Sequence, residues 1–138
     1  MRPPRLLLHA FLAAALPALA QPAPAIGYTH VADALKALEA RDGDGTVVTH
    51  SEGWVVVNEP LASAQWSFTP AGHYAHPAVV KRTIVRGAGG AVSVDVQALC
   101  EAPAEACGRL KAEFEAMNDR ITQAVRARGR QPQLPPPN

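Results

Sequence analysis

The sequence predicts an α+β domain: an N-terminal helix, an antiparallel sheet of about five strands, and a C-terminal amphipathic helix packed on one face. Three observations lead there. Runs of β-branched residues follow one another from Thr46 to Leu99, broken by short turns. One of those turns, Gly87-Ala88-Gly89-Gly90, joins two alternating runs as a hairpin, because glycine takes positive φ without steric cost. The period then changes, and Cys107, Leu110, Phe114, Met117, Ile121 and Val125 recur at steps of three and four.

Each element has a local cause. Thr29 is placed to cap a helix in which Val31, Ala34, Leu35 and Leu38 form one stripe, and the glycines of Arg41-Asp42-Gly43-Asp44-Gly45 stop it. Residues 46–50 and 53–59 form a hairpin across Ser51-Glu52-Gly53. A third strand over residues 62–69 puts Ala64, Trp66 and Phe68 on one face. The next run is mixed: Val79, Lys81, Thr83 and Val85 share one side, and Val80, Arg82, Ile84 and Arg86 the other. Its partner is cleaner, with Val92, Val94, Val96 and Ala98 turned to the core, opposite Ser93, Asp95 and Gln97. Pro103 suits an early position of the last helix, whose outer side carries Arg109, Lys111, Glu113, Glu115, Asp119, Arg120 and Arg126.

Residues 1–20 read as a signal peptide. Arg2 and Arg5 precede an apolar run too short to span a bilayer, and Ala18-Leu19-Ala20 offers small-x-small cleavage before Gln21. The expected location is the periplasm or the exterior, with no stable membrane span after cleavage. Residues 21–28 form a flexible stub, 29–128 a single domain and 129–138 a disordered Pro-rich tail. The whole chain carries 13 basic and 12 acidic side chains, and loss of Arg2 and Arg5 leaves 11 against 12. So even a balance, without a basic block, argues against nucleic acid or anionic lipid as partner.

Export also decides the two cysteines. Cys100 and Cys107, with six residues between them, are expected to form a disulfide tying the last strand to the last helix. A redox pair would more usually read C-x-x-C, and a zinc site would need further ligands.

The densest chemical text is Trp66-Ser-Phe-Thr-Pro-Ala-Gly-His-Tyr-Ala-His-Pro-Ala-Val-Val-Lys-Arg82. It supplies the candidate binding residues Trp66, His73, His76, Lys81 and Arg82. Pro70, Gly72 and Pro77 forbid a helix that would pair the histidines as metal ligands, and a third ligand would have to come from His30, His50 or Glu52. Asp42 and Asp44 lack the distal glutamate of a calcium loop. Ser67 lacks the elbow and oxyanion signals of a serine hydrolase. No cofactor and no metal are expected. The balance favours a non-enzymatic binding or inhibitor-type protein of the envelope, met by an envelope partner through the sheet face or the Gly72–Pro77 loop. The alternative is a small hydrolase or metal-dependent enzyme using His73 and His76.

Through Trp66, Phe68, Pro70, Gly72, His73, His76, Pro77, Arg82, Cys100 and Cys107 the chain resembles a family of small exported proteobacterial proteins. Its members share a signal peptide, a WSFTPxGHxAHPxVVxR-like segment and two late cysteines. The resemblance covers most of the mature chain and implies a compartment and a common fold, but no reaction. A J-domain label carried by some relatives does not transfer, since Ala78 stands where the His-Pro-Asp tripeptide requires aspartate.

Overall fold

The computed structural model describes residues 26–41 and 46–129. The expected signal peptide, most of the expected stub, Asp42, Asp44 and residues 130–138 lie outside the described residues. Helix α1 (Val31–Glu39) leads into β1 (Thr46–Thr49), β2 (Val55–Glu59), β3 (Ala64–Phe68), β4 (Ala78–Arg86) and β5 (Val92–Cys100), and α2 (Ala104–Gly129) ends the domain. The five strands form one antiparallel sheet in the order β1-β2-β3-β4-β5. An α+β fold with five antiparallel strands and a C-terminal helix on the sheet is therefore what the chain adopts.

The helices take opposite faces. On one, Val31, Ala34 and Leu38 of α1 pack with Ile26 against Val57, Trp66, Phe68 and Val79. On the other, Leu110 of α2 packs on Ala75, Ala78 and Val80, flanked by Val96, Ala98 and Phe114. Leu110 is 1% exposed, which is worth roughly 1.5–3 kcal/mol of transfer free energy. Coverage from both sides explains the mixed text of β4: Ala78, Val79 and Val80 are consecutive and all fully buried because each face there meets a helix. Lys81 and Arg82 follow where that cover thins.

The glycine turn forms as its residues dictate. Gly89 and Gly90 have φ of 71° and 79°, and Gly87 donates its N–H to the Ala91 carbonyl at 2.7 Å. Between β1 and β2, Gly53 has φ 84°, and a Cβ there would stand 3.1 Å from that of Pro70.

Three expectations need correction. Ile26 and Tyr28, assigned to a flexible stub, pack into the α1 core. The N-cap of α1 is His30 rather than Thr29, and it forms no side-chain cap. Glu101, 70 residues on, supplies the acceptor: its Oε2 takes the Val31 N–H at 3.2 Å while its Oε1 meets His30 Nδ1 at 2.8 Å. Finally, the apolar stripe of α2 is not core throughout. Ile121 and Val125 are 52% and 63% exposed, and the buried position at that level is Asn118.

The cysteines are joined, Cα to Cα 5.7 Å, fastening the end of β5 to the first turn of α2. Among the described residues no helix is long and apolar enough to cross a membrane.

Candidate functional site

The five candidate binding residues fall in three places. Trp66 and Lys81 are register partners on the α1 face. The indole is enclosed: Tyr28 meets it edge-on at 5.9 Å, Lys81 Nζ lies 4.8 Å from its ring centre, and Nε1–H donates to Glu59, which also holds Arg41. Trp66 is core, 2% exposed, and offers no surface to a partner.

His73 and His76 occupy the loop between β3 and β4, which is fixed rather than free. His73 stacks near Trp54 and Tyr74, with ring centres 5.1 and 4.3 Å away. Its Nδ1 accepts the Ala75 N–H at 3.1 Å, so its proton sits on Nε2. In His76 the tautomer is reversed, because Nδ1 lies 3.0 Å from the Thr69 carbonyl, which can only accept. Thr69 closes the loop base by accepting the Ala78 N–H at its hydroxyl, 2.9 Å. Tyr74 then pins the loop to α2, its hydroxyl donating to Glu113 at 2.7 Å while Arg109 lies over the ring and bonds the same carboxylate. The Tyr74 hydroxyl holds Glu113 below the usual carboxylate range, with help from Arg109; burial first, and then Glu113, push the phenol up. Among the described residues no three His, Cys, Asp or Glu side chains come together as a metal-holding group.

Arg82 lies alone on the α2 face, and there the residues do converge. Strand register sets Asn58, Gln65 and Arg82 side by side across β2, β3 and β4. Gln65 Nε2 donates to Asn58 Oδ1 at 2.8 Å, and the Arg82 guanidinium donates to Gln65 Oε1. From above, Asn118 of α2 offers Oδ1 at 3.5 Å, the outer limit of a hydrogen bond, and the Phe114 ring centre is 5.5 Å away. Among the described residues Arg82 makes no salt bridge. Burial lowers its pKa from the ordinary value, yet an arginine in a protein remains charged.

Two hollows share this guanidinium. Toward the sheet's β4–β5 turn, a cleft of about 380 Å³ runs between sheet and helix, bounded by Gln65, Arg82 and Asn118 at one end and by Ile84, Val94 and Ile121 along its walls. A second of about 390 Å³ opens toward His50, Trp54, Ser67 and Met117. The first explains the helix stripe: Ile121 faces Ile84 and Val94 across a gap, so Ile84 and Ile121 stay 50% and 52% exposed. Asn118, 7% exposed, contributes a buried Nδ2 with no hydrogen-bond partner among the described residues.

Sequence reasoning found Arg82 and overlooked Asn58, Gln65 and Asn118. One signal was available, since Asn118 falls four residues after Phe114 and so inside the apolar stripe. No family model matches the chain, and no curated protein or solved structure shows significant similarity to it.

Proposed function

We propose that the chain is an exported, non-enzymatic binding protein of the cell envelope, and that its ligand enters the cleft between β4 and α2 at Arg82. The observation that carries this reading is a half-buried guanidinium that, among the described residues, meets two neutral amides and the Phe114 ring but no counterion. A charge withdrawn from water without a counterion costs stability, and the usual reason to keep one in a cleft is an anion supplied from outside. Export rests on Arg2, Arg5 and the apolar run before Ala18-Leu19-Ala20, and an oxidising compartment suits the disulfide. The enzyme reading draws less support, because His73 spends Nδ1 on its own loop and His76 spends Nδ1 on Thr69.

Native mass spectrometry of protein recovered from a periplasmic extract tests both parts. The chain should begin at Gln21 and carry a non-covalent adduct that Arg82→Gln loses while keeping its circular dichroism. A bare mass for the wild type, together with no adduct from a photo-crosslinking residue at Ile121, would remove the binding reading.

A further inference from the structure

Resting on that reading of the Arg82 cleft, we infer that its ligand is a small amphiphilic monocarboxylate, such as a medium-chain fatty acid. The carboxylate lies against Arg82 and Asn118, and the aliphatic tail runs between Ile84, Val94 and Ile121.

The head follows from the donors. Among the described residues Arg82 is the one cation lining this cleft, because strand alternation sends its neighbour Lys81 to the opposite face, over Trp66. One guanidinium flanked by amides balances one negative charge, and its planar fork matches the two oxygens of a carboxylate. A phosphate would bring more charge than the cleft compensates. Glu59 also lines the cleft, but its carboxylate is already engaged by Arg41 and the Trp66 indole.

Asn118 gives the second, independent observation. Its Oδ1 reaches Arg82 only at 3.5 Å, and its Nδ2 is buried without a partner among the described residues. The terminal torsion of an asparagine is broad. Rotation of the amide would let a ligand oxygen replace Oδ1 at the guanidinium while Nδ2 donates to the other oxygen. A single carboxylate would meet both weaknesses, the long Asn118–Arg82 contact and the unpaired Nδ2.

The tail follows from the walls. Ile84 and Ile121 are half exposed although they line the same cleft, together with Val94, the register partner of Ile84. At about 380 Å³ the cleft is near the small end of the roughly 300–1,000 Å³ usual for ligand pockets, which fits one short chain and not a two-chain lipid.

Calorimetric titration of the mature, oxidised protein with decanoate tests the assignment, beside decanol, decyltrimethylammonium and acetate. Decanoate should bind once per chain. Decanol, which lacks the charge, and the Arg82→Gln variant with decanoate should each be weaker by roughly tenfold to a hundredfold. The decyl cation and acetate should give no saturable heat. Asn118→Asp covers the case in which loss of Arg82 disturbs folding: it keeps Arg82 and supplies an internal carboxylate, so this variant should melt at a higher temperature and no longer take decanoate. Equal affinity for decanol and decanoate, or wild-type affinity in Asn118→Asp, would overturn the carboxylate. Silence toward decanoate with an Arg82-dependent adduct still present on periplasmic protein would sink the ligand class and leave the binding reading standing; silence in both would end both.

Discussion

The two faces of the sheet treat their polar groups differently. On the α1 face Trp66, Glu59, Arg41 and the Tyr28 hydroxyl satisfy one another around a ring that is 2% exposed. On the α2 face the row Asn58, Gln65, Arg82 ends at an asparagine whose Nδ2 has no partner among the described residues, beside Ile84 and Ile121, which line the same cleft and are half exposed. A face shaped for stability alone would not keep that row, since an unpaired buried donor costs roughly 1–3 kcal/mol. On the binding reading proposed above, the contrast separates scaffold from site: the α1 face is closed by its own polar groups, and the α2 face, beyond its Leu110 core, keeps a place for a ligand.

The largest expected effect breaks the scaffold side. Trp66→Ala should destabilise by roughly 3–5 kcal/mol in urea unfolding, because it empties the α1 core, removes one of the two partners of Glu59 and takes the ring from under Lys81. A loss under about 1 kcal/mol would mean that the α1 face is not the stabilising one. On the opposite side the sign should reverse. Asn118→Leu removes the idle donor at similar volume and should raise stability by about 1 kcal/mol. Destabilisation by this substitution would show that the amide is structural after all.

The smallest effect concerns the exposed pair between α1 and the end of β5. The bond to Glu101 raises the His30 pKa, and the same bond lowers that of Glu101, helped by the Val31 N–H. The His30 contribution is complete below its ordinary value of 6.5 and fades as pH rises through the raised one. The Glu101 contribution is complete above its ordinary 4.5 and fades as pH falls through the depressed one. Amide exchange at Val31, corrected for intrinsic rate, should therefore be slowest between those two ordinary values. His30→Gln should flatten the alkaline limb and leave the acid limb in place.

Much of the scaffold was legible because period survives in the text. Ala64, Trp66 and Phe68 alternate, as do Val92, Val94, Val96 and Ala98, and the strands form where they say, although Val92, beyond the helix cover at the hairpin end, is exposed and not the core position expected. The site was not, because it is assembled from positions 58, 65, 82 and 118, brought together by register and by a helix crossing overhead. Lys81 and Arg82 make the point locally: adjacent in sequence, they stand on opposite sides of the sheet, so a basic pair in the text becomes two unrelated single charges. The histidine loop misled in the other direction. Residues conspicuous as chemistry, His73 and His76, serve the packing of their own turn.

The acceptor that Glu101 lends to Val31 also orders events in time. The first helix of the domain to emerge carries an N-terminus that stays open until a residue 70 positions later has joined the far edge of the sheet. Closing so long a loop comes late, after the hairpins between neighbouring strands have formed from local contacts. Were the chain exported as proposed, it would present α1 first and complete the N-terminus of that helix last, once β5 is in place.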